Sequence, residues 1–298
     1  MGLGLIGGSI GLGLRRAGGY RVIGFDTDPQ TLELAVSLGA IDRAAQALNE
    51  VTDCDAIVVA VPLLAMEGAF RALARALEEC AVRRPQLIMD VGSAKRSVMG
   101  WARACFEGNV PFVGGHPMAG TEHHGIKAAT SEMFRTAAFV LTPSEWADQH
   151  SIALARSIAT DLGARPVMMD PESHDRMVAA TSHLPLLCAA AISSIAAARA
   201  DSDPDMWVLA GGGFRDSTRV ASGAPELGTG IMLANADEIR RALEELIGIL
   251  SGVLGWLEAS DSDDATQALT SFFDEGRRSR AEWLATLGPR RGHEHANV

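Results

Sequence analysis

The chain opens MGLGLIGGSIGLGLRR, in which Gly2, Gly4 and Gly7 form a G-x-G-x-x-G pattern. Glycines at this spacing let the backbone turn tightly and bring a pyrophosphate to a helix N-terminus. The segment GGSIGLGLRRAGG supplies that helix. Asp26 lies 22 residues after Gly4, at the end of the β-rich run YRVIGFD. An acid at about that distance accepts hydrogen bonds from ribose hydroxyls. The start of the chain therefore reads as a dinucleotide-binding βαβ unit. The cofactor contacts expected are Gly2, Gly4, Leu5, Ile6, Gly7 and Asp26, with Val61 and Pro62 at the end of the run DAIVVAVP. Asp26 repels a 2′-phosphate, and its neighbours Thr27 and Asp28 offer no cation, so NAD is expected over NADP.

The glycine turn normally follows a central strand buried on both faces, and only Met1 precedes it here. Five or six apolar residues in such a strand contribute roughly 1.5–3 kcal/mol each, a sum comparable to a domain's net stability of about 5–15 kcal/mol. The expectation is that the first strand is missing from this sequence and that the true chain begins several residues upstream.

Further strand-like runs follow: QLIMDVG (86–92), VPFVGG (110–115), AAFVLTP (137–143) and ARPVMMD (164–170). Helical patterns such as PQTLELAVSLGA and MEGAFRALARALEEC lie between several runs. This alternation predicts an α/β, Rossmann-like, mainly parallel sheet. After Asp170, an N-cap followed by Pro171, no strand run recurs and long amphipathic helices take over. The expected organisation is a dinucleotide-binding domain over 1–170, an all-α substrate and dimerisation domain over 171–288, and a disordered tail over 289–298. His293 and His295 belong to that tail rather than to a metal site.

A net charge of −11 argues against nucleic acid or an anionic membrane as the main partner. No uninterrupted apolar run reaches the roughly 18 residues of a membrane helix. The apolar N-terminus lacks a basic region and a cleavage site, so it does not read as a signal peptide. Cys54, Cys80, Cys105 and Cys188 show no C-x-x-C pairing, which fits a reducing cytoplasm. No metal-ligand spacing is present. The partners expected are a small-molecule substrate and a second copy, paired through the helical domain.

DVGSAKRS places Ser93 just past one strand end, and GGHPMAGTE places His116 just past the next. The carboxyl ends of strands hold ligands in open α/β sheets. Pro117 biases His116 towards an extended backbone, and Gly114, Gly115 and Gly120 allow another molecule close. In the helical part, TSHLP (181–185) and GGGFRDSTRVA (211–221) concentrate unusual residues, while His123, His124 and His174 carry no assignment.

In their order, GLGLIGGSIG, DVGSAK, GGHPMAGTE, HDRMVAATSHLP and GGGFRDSTRVA resemble the prephenate/arogenate dehydrogenases over nearly the whole chain. The resemblance implies NAD-dependent oxidative decarboxylation of prephenate to 4-hydroxyphenylpyruvate, in tyrosine biosynthesis. It implies His116 as the base for the substrate hydroxyl, and Ser93 as a hydrogen-bond partner of His116 or of that hydroxyl. It places Arg219 on a substrate carboxylate and His183 and Thr121 in the same pocket, with Glu122 pairing a cation at its mouth. Two departures stand out: the absent strand, and Leu186 after SHLP where the family often has a polar residue. The second leaves arogenate open as the substrate, and the first leaves open a silent NAD-binding protein. Neither a regulatory domain after the helices nor a chorismate mutase module before the fingerprint is expected. The related β-hydroxyacid dehydrogenases need K-x-x-x-N, but Met99 follows Lys95 and Ser131 follows Lys127 at that spacing.

Overall fold

A computed structural model describes residues 1–80 and 84–286. The tail expected from 289, with His293 and His295, lies outside the described residues. Met1–Arg240 forms one compact unit, and the chain from Arg241 on forms a second.

The first unit carries the sheets. Strands β1 (Ile23–Gly24) and β2 (Arg43–Ala44) form a parallel pair. A second sheet runs in the order β3 (Ala56–Val59), β4 (Leu87–Asp90), β5 (Phe112–Pro117), β6 (Ala138–Pro143), β7 (Arg165–Met168). Only the β5–β6 pairing in it is antiparallel. The apolar runs DAIVVAVP and QLIMDVG become β3 and β4, and all of β4 is buried, as a strand covered on both faces must be.

Helix α1 (Leu5–Ala17) and helix α5 (Gln149–Asp161) cover one face of the larger sheet, through Ile10, Leu14 and Ile158. Helices α3 (Leu63–Cys80) and α4 (Arg96–Phe106) cover the other. There Phe70 meets Phe106 and Phe112 edge to face at 5.2 and 5.5 Å. Helix α2 (Pro29–Ser37) starts on Asp28, whose carboxylate accepts from the amides of Gln30 and Thr31.

Met1 and Gly2 lie between the two sheets. The Met1 amine donates to Val58 O at 2.8 Å, Ala60 N donates to Met1 O at 2.7 Å, and Gly2 N donates to Phe25 O at 2.9 Å. These bonds tie the β1 and β3 sides together at one end only.

The texture changes at Asp170 as read from sequence. Its carboxylate caps helix α6 (Pro171–Val178) by accepting from Ser173 N at 2.8 Å. The helical stretch continues through one π-helical turn (Ala179–His183) into α7 (Leu184–Ala200). Packing does not break at 170, because the first compact unit extends to Arg240. After α7 come α8 (Gly212–Thr218) and α9 (Pro225–Ala234), then α10 (Ala236–Glu258) and α11 (Asp263–Thr286).

One helical stretch, Pro171–Ala200, is long and apolar enough to cross a membrane by length and composition, contrary to the sequence expectation. It passes because Ala-rich turns outnumber its few charges. Its first half nevertheless buries His174, Asp175 and His183 in protein.

Candidate active site

A cavity of about 850 Å³ runs from the glycine turn to the ends of β4 and β5. At one end lie Gly2, Gly4 and Asp26, and at the other Ser93, His116 and Thr121. Leu5, Ile6, Val61 and Pro62 also line it.

The three glycines do different work. Gly2 has φ +79°, and a Cβ there would lie 2.5 Å from Ala60 O. A Cβ on Gly7 would lie 1.9 Å from Gly2 O, so this position lets α1 pack on the turn. A Cβ on Gly4 would meet nothing within 4 Å, so the space before it is left to a ligand. Gly4 is also the N-cap of α1, whose first amides face the same space. Asp26 accepts from Leu3 N at 2.7 Å through Oδ2 and from Asp28 N at 3.0 Å through Oδ1. Each oxygen keeps a lone pair for a ribose hydroxyl. Among the described residues, the cavity wall contains neither Lys nor Arg to meet a 2′-phosphate. These residues fit NAD.

His116 was expected on a loop past the strand. The strand instead runs on through Pro117, and His116 pairs with Val140 of β6. Gly114 and Gly115 do not admit another molecule either. A Cβ on Gly114 would lie 2.3 Å from Thr142 Oγ1, and one on Gly115 2.5 Å from Asp90 O, so both serve packing inside the sheet. Gly120 faces open space.

The Nδ1 atom of His116 lies 2.8 Å from His174 Nε2, and His174 Nδ1 lies 2.7 Å from Asp175 Oδ1. The Nδ1 partner of His116 is therefore His174, while sequence reading had offered Ser93 as a partner of His116 or of the substrate hydroxyl. Asp175 also accepts from Lys95 N at 2.7 Å and Arg96 N at 2.9 Å, at the N-terminus of α4. Burial pushes its carboxyl up, but these hydrogen bonds outweigh it and hold the pKa below the usual value.

The charge states follow in order. An ionised Asp175 accepts only, so His174 Nδ1 carries a proton, and in the neutral form of that ring Nε2 accepts. His116 Nδ1 must then be the donor, which leaves His116 Nε2 with a free lone pair. Burial pushes the His116 pKa well below 6.5, and His174, Lys95 and His183 push it the same way. His116 is thus a neutral base of defined tautomer.

Lys95 is fully buried beneath this chain of side chains. Its Nζ donates to Asp90 Oδ2 at 2.5 Å and to Gly115 O at 2.6 Å, the carbonyl just before His116. Asp90 Oδ1 accepts from Gly115 N, so one ion pair fixes β4, β5 and the start of α4 together.

His183 is buried outside the cavity wall. Its Nδ1 lies 3.2 Å from Asn235 Nδ2, which also donates to Asp175 O. Burial pushes its pKa down to about 4. Arg219 Nη1 donates to Glu122 Oε2 at 3.1 Å, beside Thr121 at the cavity rim. Sequence reading missed His174, Asp175, Lys95 and Asn235. The available signal was the His-Asp pair one turn into the helix that Asp170 caps.

Family models match over most of the chain: the prephenate dehydrogenase nucleotide-binding domain over residues 10–168 and the prephenate dehydrogenase dimerization domain over 170–271. The chain belongs to the prephenate dehydrogenase family. Prephenate dehydrogenase of Bacillus subtilis (strain 168) is 33% identical over 265 residues, 88% of this chain and 70% of that protein. The crystal structure of Aquifex aeolicus prephenate dehydrogenase with hydroxyphenyl propionate and NAD+ superposes with TM-score 0.83 at 27% identity, covering 94% of this chain and 96% of the other. Synechocystis arogenate dehydrogenase gives TM-score 0.74 at 32% identity, covering 94% and 98%. This member of the family thus has relatives named for both prephenate and arogenate.

Proposed function

We propose that this chain oxidatively decarboxylates prephenate to 4-hydroxyphenylpyruvate with reduction of NAD. The observation that carries the reading is a neutral His116, with Nε2 free, in one cavity with the Gly4–Asp26 nucleotide cradle.

NAD, when bound, supplies the acceptor for the hydride that leaves substrate C4. The Gly2–Gly7 turn and the α1 N-terminus hold its pyrophosphate, and Asp26 holds its ribose. His116 Nε2 takes the proton of the C4 hydroxyl as that carbon is oxidised. The resulting imidazolium keeps its Nδ1–H bond to His174, and Asp175 balances the charge through His174. The ring carboxylate leaves as CO2, and its bonding electrons aromatise the ring. His116 then returns its proton to the phenolic oxygen, which closes the proton balance. A positioned base of this kind contributes on the order of 10²–10⁴ in rate. Ser93, which lines the same cavity as His116, bonds the substrate hydroxyl in this reading. Arg219 gives its planar fork to a substrate carboxylate after leaving Glu122.

A homodimer is part of the same reading. Residues 170–271 match a dimerization domain. Val208, Leu209 and Leu233 within that segment are 81%, 82% and 67% exposed, which suits a face covered by a second copy. Free thiols at Cys54, Cys105 and Cys188 agree with a cytoplasmic setting.

Initial rates with prephenate and with arogenate, each with NAD and NADP, test the proposal. Turnover of prephenate with NAD at the highest kcat/KM supports it. A preference for arogenate transfers the substrate, and NAD binding without turnover of either substrate defeats the reading.

A further inference from the structure

Lys95 is one of two lysines among the 26 basic residues of this chain, and it is fully buried. We propose that Lys95 is the positioning residue of His116: it holds both the backbone and the ring of that histidine, and it sets a positive charge beneath the ring. The proposal rests on the reading of His116 as the base and adds what keeps that base in place and unprotonated.

Lys95 reaches His116 by two routes. The first is its side chain. Lys95 Nζ donates to Gly115 O at 2.6 Å, the last carbonyl before His116, and to Asp90 Oδ2 at 2.5 Å. Asp90 accepts from Gly115 N at 3.1 Å and from Gly92 N at 2.6 Å, one residue before Ser93. The ion pair therefore grips Gly115 by its N–H and its C=O, and ties it to the turn that carries Ser93. The second route is the Lys95 backbone. Lys95 N donates to Asp175 Oδ1 at 2.7 Å, and the same oxygen lies 2.7 Å from His174 Nδ1. His174 in turn holds Nδ1 of His116. Main chain and ring of the base are thus fixed through one residue.

The space suits a lysine and not an arginine. A Cβ on Gly114 would lie 3.2 Å from Lys95 Cδ, so the strand has no side chain where the lysine stem passes. An ammonium is a compact charge on a slender stem, whereas a guanidinium is a broad planar fork. In a chain that uses arginine for nearly all its cations, this position holds the other one.

The charge acts on the base directly. Around His116 stand Lys95 and Asp90, His174 and Asp175 of α6, and His183 at the end of the π turn. Strand β6 brings Phe139, Val140 and Leu141, none of which titrates. Glu122 and Arg219 pair with each other at the cavity rim. Lys95, His174 and His183 all oppose a second positive charge on His116. Burial lowers the Lys95 pKa, and Asp90 and Asp175 counter that shift.

Two variants and a titration test this. Asp90→Asn combined with Lys95→Met removes both buried charges, so neither is left unpaired. Lys95→Arg keeps the charge and disturbs the fit. Thermal unfolding reads folding. NMR of labelled histidine reads the midpoint of His116 protonation without turnover, on the resonance that His116→Asn removes. The neutral double variant should lower kcat about 10-fold or more, keep KM for NAD within about 2-fold, and raise the His116 midpoint by about half a pH unit or more. Lys95→Arg should also lower kcat, with the midpoint near its wild-type value. A folded double variant whose midpoint does not move overturns the proposal, whatever its kcat. If the double variant does not fold, Lys95→Arg decides: wild-type kcat, or a midpoint raised by half a pH unit, overturns it. Wild-type kcat in His116→Asn would instead defeat the assignment of the base, while the titration still reads the hold of Lys95 on that ring.

Discussion

His116 and His174 meet nitrogen to nitrogen at 2.8 Å, although 58 residues separate them in the chain. One histidine comes from a strand of the sheet and the other from the first helix after it. Their contact decides which nitrogen of His116 faces the cavity. His116→Asn should lower kcat by about 10²-fold or more. His174→Ala should lower kcat by about 10-fold or more with little change in prephenate KM, because the base remains but its tautomer is no longer held. His174→Gln, which keeps an acceptor for Nδ1–H, should recover part of that loss. Steady-state kinetics on the three variants separate the roles, and a wild-type kcat in His116→Asn removes it as the base.

The His116 pKa lies below 6.5, so the base stays neutral as pH falls through 6.5. The acid limb of kcat/KM should therefore have its midpoint below 6.5, and kcat/KM should be flat from there to neutrality. His174→Ala should move that midpoint. A wild-type acid limb centred above 6.5 contradicts the burial argument.

Stability should follow pH with the sign set by His183. Its folded pKa of about 4 lies below the ordinary 6.5, so between these values the unfolded chain binds more protons. The stabilisation is whole above 6.5 and is lost as pH falls towards 4, by about 3 kcal/mol. Urea unfolding midpoints across this window check it, and His183→Asn should flatten the slope.

Gly4 and Gly7 should respond oppositely to alanine. Gly4→Ala adds a methyl where no protein atom lies within 4 Å, so thermal stability should stay within about 2 °C. Its KM for NAD should rise about 10-fold or more, because the methyl occupies pyrophosphate space. Gly7→Ala drives a methyl into Gly2 O at 1.9 Å and should destabilise the fold by about 1–3 kcal/mol. Melting curves and NAD titrations of the pair distinguish a cofactor surface from a packing contact.

Arg219 and Arg215 compete for one role. Arg219 bonds Glu122 at the cavity rim, whereas Arg215 pairs with its neighbour Asp216 and is 79% exposed. Arg219→Ala should raise substrate KM about 10- to 10³-fold and leave NAD affinity intact. Arg219→Lys should recover only part, since an ammonium lacks the planar fork. A large KM defect in Arg215→Ala with none in Arg219→Ala transfers the role.

Local chemistry was legible in the sequence wherever it is written in neighbouring residues. The G-x-G-x-x-G turn, Asp26 at the end of its strand and the Asp170–Pro171 helix start each depend on short-range geometry, and each stands where spacing put it. The change from alternating strands and helices to helices alone was equally visible, because burial on both faces of a sheet and on one face of a helix impose different periods.

Contacts between distant elements decided the rest. Spacing cannot show that β5 continues through His116, because pairing with Val140 of β6 extends it. Nor can it show that Gly114 and Gly115 make room for Thr142 and Asp90 rather than for a ligand. His174 and Asp175 looked like ordinary polar residues of a helix start. Folding sets them between the base and the amides of α4, and so selects one tautomer of His116. A residue's type and spacing determine what it can bond, but only the packed chain determines which partner is within 3 Å of it.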